Sequence, residues 1–256
     1  MKKVTLKSLM AVSAVFGLLA CGGGTDTTGG GNGEGSGPEA GLPADVQTAI
    51  AGPLSTLTQA LKDSITYMYS EEGLAHDVYL NIYKIQAVNQ LQNIATKAEV
   101  KHIDAVNQIA QKYDLNITKY PDTDKPYSTD DLDRYGSGQY PVEPIQELYN
   151  LLYDKGIQSS KDALEVGCMV EVVDIDDLNG YITEATASNA SDVLTVFNFL
   201  REGSYSHYWA FDEGLKNMGI SNGCCSVQDY EGHNFCHPEY PKNDHGSGGN
   251  GNRGNK

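Results

Sequence analysis

Positive charge is what this chain has least of. Lys and Arg total 18 against 34 Asp and Glu, which leaves a formal net charge of -16 over 256 residues. Nucleic-acid binding and charge-driven adhesion to an anionic membrane both need a basic face, so both readings are set aside. Strand-type alternation is missing as well, which excludes a β or mixed architecture. No Gly-x-Ser-x-Gly elbow occurs, so a Ser–His–acid hydrolase is unsupported. The acidic connection that holds Asp122, Asp124, Asp130, Asp131 and Asp133 lacks the EF-hand pattern, and it reads as a solvated loop rather than a calcium site. The cysteines lack standard zinc-finger spacing. The apolar run from Leu9 to Ala20 is too short to span a membrane stably.

What is present begins at the N-terminus. Lys2, Lys3 and Lys7 precede that apolar run, which ends in Leu18-Leu19-Ala20-Cys21. This order resembles the bacterial lipoprotein signal. The resemblance implies removal of residues 1–20, lipidation of Cys21 and an exported, membrane-anchored protein. An ordinary secretory signal cleaved nearby is the alternative, and it too implies export. Residues 21–43, rich in Gly, Thr and Asn, read as a flexible tether. Residues 44–219 hold the periodic, core-forming sequence. Residues 220–256 read as a Cys-, His- and Gly-rich tail, largely disordered.

Within 44–219 the apolar positions recur at helical spacing, so the expected fold is all-α. A first long helix is expected over 54–86, a second over 90–113, a third over 160–187 and a fourth over 191–218. A short helix over 142–155 lies in the long connection between the second and third. Ser159 and Ser160 are placed to cap the third helix. Its middle, Ala163 to Ile175, is apolar nearly all round, so it should be central. Gly73 is expected to permit close packing, and Gly180 to bend the third helix. Four long helices joined by one long connection suggest a four-helix bundle with a crossover.

Each long helix carries an ionisable residue on its apolar stripe. These are Glu72 on the first, Glu99 and His102 on the second, Glu171 with Asp174 on the third, and His207 on the fourth. Glu99 and His102 stand at i and i+3, on one helical face. A buried carboxylate costs several kcal/mol unless it is paired or bound to a cation. A lone buried His is usually a satisfied core residue. Carboxylates from three helices with two imidazoles are better explained by divalent or trivalent metal ions, which would turn the cost into folding energy. Carboxylate and imidazole together, without thiolate, suit iron, manganese or zinc better than calcium.

The run Glu71-Glu72-x-x-Ala75-x-Asp77-Val78-Tyr79, the Glu99-x-x-His102 pair, Val170-Glu171-x-x-Asp174 and Arg201 through Ser204 to His207 resemble the ferritin-like superfamily. They are similar in particular to a ferritin-like domain of unknown function found in bacteria and archaea. The resemblance implies an all-α ferritin-like four-helix bundle with a long crossover between the second and third helices. It also implies two metal ions, iron or manganese, held by Glu72, Glu99, His102, Glu171, Asp174 and His207. Glu72 would be terminal, Glu99 and Glu171 would bridge or flank, and each His would cap one ion. Tyr79 would sit beside them as an electron donor or hydrogen-bond partner. The fourth-helix Glu-x-x-His of many di-iron members is Ser204-x-x-His207 here, and Asp174 is the candidate replacement.

Of the cysteines, Cys168 falls in an apolar helical pattern and reads as a small core residue. Cys224, Cys225 and Cys236 invite a disulfide in an exported protein, with one thiol free or paired elsewhere. A metal site with His233, His237 and His245 is the competing reading of that cluster. Three function classes remain: a di-metal protein of oxygen or peroxide chemistry, a binding lipoprotein with a buried polar network, and a metal-capture protein.

Overall fold

The computed structural model describes residues 41–117, 138, 140, 143–230 and 232–242. The expected signal peptide, Cys21, nearly all of the tether, most of the acidic connection, His245 and the extreme C-terminus lie outside the described residues.

The described chain is all-helical. Helix α1 spans Ala44–Ala51 and α2 spans Gln59–Gln86. Thr58, whose side chain accepts from Leu61 N at 3.1 Å, starts α2 five residues later than periodicity suggests. Upstream of that cap, Leu54 is exposed. Ala87 ends α2 in the left-handed region, at φ 51°. The second long helix is broken into three pieces: α3 (Asn89–Ile94), a π-helical turn (Ala95–Glu99) and α4 (Val100–Lys112). Helix α5 covers Glu143–Gly156, α6 covers Ser160–Ala187 and α7 covers Ser191–Asn217. Ser159 caps α6 as expected, accepting from Asp162 N at 3.0 Å. Among the described residues no helix is long and apolar enough to cross a membrane.

The stripes that periodicity predicts are the ones that bury. Leu61, Ile65, Met68, Val78, Tyr79 and Ile82 of α2 are fully enclosed, as are Val172 and Ile175 of α6 and Val196, Phe197, Leu200 and Phe211 of α7. Each large apolar side chain so buried contributes about 1.5–3 kcal/mol. Helices α6 and α7 share the most extensive contact in the molecule. Gly167 allows their close approach, since a Cβ there would fall 2.4 Å from the Phe211 ring. Gly73 has no such role: a Cβ there would meet nothing within 4 Å, so the expectation of close packing is corrected.

The cysteine reading also changes. Cys168 is a buried core residue, but it is not a free thiol; it is bonded to Cys224, while Cys225 pairs with Cys236. The odd cysteine of the tail is thus satisfied from α6, and the thiols are not available to a metal. Residues 220–242 are held to the domain by these bonds and by Tyr208, whose hydroxyl donates to Phe235 O and accepts from His237 N, each at 3.0 Å. This part of the tail packs against the helices and departs from the largely disordered segment expected.

Candidate metal centre

Four chain segments bring ionisable side chains to one buried place. Glu72 comes from α2, Glu99 from the end of the π turn, His102 from the first turn of α4, Glu171 and Asp174 from α6, and His207 from α7. Exposure is 2 % for Glu72, Glu99 and Glu171, 3 % for His102, 6 % for Asp174 and 7 % for His207. Every metal ligand expected from the sequence is therefore in the cluster.

The two imidazoles point inward through the same atom. His102 Nδ1 lies 3.1 Å from Glu72 Oε2 and 3.2 Å from Glu99 Oε2. His207 Nδ1 lies 3.1 Å from Glu99 Oε1 and 3.4 Å from Glu171 Oε2. Glu99 thus stands between the two histidines, one oxygen toward each. The rings are stacked 5.3 Å apart. One ligand atom from each of Glu99, His102 and His207 falls within 4.8 Å of the others, the spread a single ion would need. Gly203 makes room for His102: a Cβ there would lie 2.2 Å from Nε2.

Tyr79, fully buried, donates from its hydroxyl to Glu171 Oε1 at 2.5 Å and packs on Phe211 with ring centroids 5.3 Å apart. Burial, then the Glu171 and Glu99 charges, holds its proton well above the usual phenol range. Ser204 stands where a Glu-x-x-His pair would place its carboxylate. Its hydroxyl lies 2.5 Å from Asp174 Oδ2 and 3.0 Å from Leu200 O. The α6 aspartate therefore fills the space in front of Ser204.

The electrostatics are those of too many carboxylates. Burial raises Glu72 well above its ordinary value, and the Asp174 and Glu99 charges raise it further. Burial and the Glu171 charge push Asp174 up to about 8. Burial also raises Glu171, against the opposing His207 charge. On Glu99 burial acts upward, but the charge and hydrogen bonds of the two histidines outweigh it and lower its pKa. Burial resists the charge on His207, yet Glu171 and Glu99 bring it up to about 10. Even so, Glu72 Oε1 and Asp174 Oδ1 are sealed from solvent with no hydrogen-bond partner. Native proteins leave few such groups. The oxygen and imidazole donors fit first-row divalent ions, so the residues present suit the cations that their chemistry implies.

Three features were not read from the sequence. The π turn ends on Glu99, and such turns are frequent at functional sites. Glu71 is buried, and so is Asp177. A signal for Asp177 was present: Glu171, Asp174 and Asp177 repeat every three residues within 166–178, where Asp176 is the one other charged residue.

Comparison with known proteins gives this arrangement a family but not a function. The chain is 34% identical over 167 residues to the uncharacterised protein MJ0754 of Methanocaldococcus jannaschii, a match covering 65% of this chain and 81% of the relative. The crystal structure of the hypothetical protein MJ0754 from Methanococcus jannaschii DSM 2661 superposes with a TM-score of 0.55 at 32% identity, over 66% of this chain and 86% of that one. A family model described as an uncharacterised protein domain, DUF2202, matches residues 61–233, which include all six candidate ligands. The chain belongs to the DUF2202 family.

Proposed function

We propose that this is an exported, lipid-anchored ferritin-like protein whose four long helices hold a dinuclear iron or manganese centre used in oxygen or peroxide chemistry. One observation carries the metal: four buried carboxylates and two histidines converge, yet Glu72 Oε1 and Asp174 Oδ1 remain without partners. A pair of cations would neutralise this set, and they would add binding energy to folding energy. Glu72, Glu99, His102, Glu171, Asp174 and His207 would hold them. Bound there, such ions would supply open coordination positions for oxygen or peroxide. The chain's own part is to shape the site. Tyr79 orients Glu171 through its hydroxyl and keeps a proton beside it. Phe199, edge-on to His102 at 5.4 Å, and Phe211 help to exclude water. The two disulfides, which persist most readily in an oxidising compartment, support export.

Metal analysis of the purified chain tests this reading. Near-stoichiometric iron or manganese is expected, lost in Glu99→Ala and His102→Ala. No transition metal in the wild type, or unchanged content in both variants, would overturn it. Scattering at the iron and manganese edges assigns the ion. Consumption of oxygen or peroxide by the loaded protein separates turnover from metal capture or delivery.

The hydrogen bond between His102 Nδ1 and Glu72 Oε2 favours a second reading, a scaffold for binding partners in which Glu and His satisfy one another. A melting temperature unmoved by chelation would support it.

A further inference from the structure

Helices α2 and α6 face each other in opposite directions, and two contacts fix their register. Tyr67 meets Tyr181 edge-on with ring centroids 6.4 Å apart, and Tyr79 reaches Glu171. Between these contacts, Glu72 is set near Asp174 and Glu71 near Asp177, close enough for the charges to act on one another. The centre described above uses Glu72 and Asp174. It leaves Glu71 and Asp177 with no role.

Both are more than nine-tenths buried, at 8 % and 5 % exposure. Glu71 Oε2 and Asp177 Oδ1 are closed off from solvent without a hydrogen-bond partner. No Lys, Arg or His among the described residues forms an ion pair with either. Arg201 of α7 donates from Nη1 and Nη2 to Asn179 Oδ1 and Asn198 Oδ1, and its Nε is buried without a partner. Asp176, the neighbour of Asp177 on α6, has a side chain 46% exposed and 3.7 Å from His233 Nδ1, and its charge acts on Asp177.

We propose that Glu71 and Asp177 form an outer site for a hydrated divalent cation, through which metal ions pass from the surface at Asp176 to the centre at Glu72 and Asp174. The transit role rests on the metal-centre reading; the outer site itself does not. Two carboxylates completed by water make an oxygen-only donor set, suited to a hard, hydrated ion such as Mn²⁺. Without imidazole it binds more weakly than the inner set, and a transit site must release what it takes up.

The test uses crystals of the full chain soaked in Mn²⁺, with anomalous maps at the manganese edge. A peak between Glu71 and Asp177 is expected in the wild type and should vanish in Glu71→Gln/Asp177→Asn, with the inner peaks kept. In solution that variant should take up Mn²⁺ about 10-fold more slowly, because a focusing acidic cluster is lost, and reach the same final content. Its melting temperature should equal or exceed that of the wild type. Should the variant not fold, the wild-type map alone decides the outer site. No outer peak with the inner centre filled overturns the inference. An outer peak with unslowed uptake overturns the transit role. An outer peak with an empty centre upholds the outer site and sinks the dinuclear reading, and no peak at either place sinks both.

Discussion

Asp174 and Asp192 are both buried aspartates, at 6 % and 4 % exposure, and the chain treats them in opposite ways. Asp192, at the start of α7, accepts from Ser55 Oγ at 2.6 Å, Lys112 Nζ at 2.5 Å, Tyr113 Oη at 2.5 Å and Val193 N at 3.0 Å. Burial would raise its pKa, but the bonds from Lys112, Ser55 and Tyr113 bring it down to about 2. Asp174, in the middle of α6, has Ser204 on one oxygen and nothing on the other, and its pKa lies at about 8. The first is a carboxylate whose charge the fold has already answered. The second keeps a charge or a proton for which the fold supplies no complete answer. Burial alone does not single out a candidate functional residue; burial with unmatched oxygens does.

The sharpest way to break this comparison is to remove the answered charge. Asp192→Ala should lower stability by about 3 kcal/mol, because it strips the Lys112 ammonium, whose side chain is 9% exposed, of its counter-charge. Urea melts measure this, and metal content should not change. A loss of metal in that variant would show that the two regions are not separable.

Chelation acts on the other region. Stripping metal from loaded protein should cost about 2.7 kcal/mol if the ion had been held at 100 times its dissociation constant. At ~2–4 °C per kcal/mol the melting temperature would fall by about 5–10 °C. An unmoved transition would make the buried cluster self-sufficient after all.

Gly203→Ala sharpens the contrast at one atom. The new methyl would push on His102 Nε2 and tilt the ring away from Glu72 and Glu99. Metal affinity should fall about 10–100-fold, the range seen when support for a ligand is lost. Equilibrium dialysis reads this, and the helical content by circular dichroism should stay the same.

The smallest effect is one of pH on the chelated protein. Asp174 holds its proton up to about 8 in the fold and releases it near 3.8 when unfolded. Between those values the folded state carries more protons, so stability falls as pH rises. His207, raised to about 10, acts in the same direction above its unfolded value near 6.5. Chelated protein should therefore be more stable at pH 5 than at pH 8. Asp174→Asn should recover on the order of 1 kcal/mol at pH 8 and much less at pH 5, since it removes a charge that folding must otherwise neutralise. Denaturant titrations at the two pH values measure both.

Much of this was legible in the sequence, because helical periodicity is a local property. The α6 and α7 boundaries and the Ser159 cap follow from side chains within a turn or two of each helix end. The six candidate ligands stood out because a carboxylate or imidazole on an apolar stripe contradicts its surroundings. Glu71 was less so: only the approach of α6 makes its own stripe an inward one. The π turn was invisible, since Ala95-Thr96-Lys97-Ala98-Glu99 has nothing that forbids an ordinary α-helix. The Cys168–Cys224 bond spans 56 residues, and such a pairing depends on tertiary proximity that periodicity does not encode.

That bond divides the centre in an unexpected way. Cys168 and Cys224 close a covalent ring that contains α7, most of α6 and the turn between them. Glu171, Asp174, Ser204 and His207 all lie inside the ring; Glu72, Glu99 and His102 all lie outside it. One half of the candidate ligand set is thus linked into a single loop of chain even when the protein is unfolded. The other half must find it. A protease cut at the turn around Asn189 would open the hairpin without releasing either arm, and the two fragments would run as one species until reduced. Assembly of the buried cluster becomes the meeting of a pre-tied hairpin with a free arm.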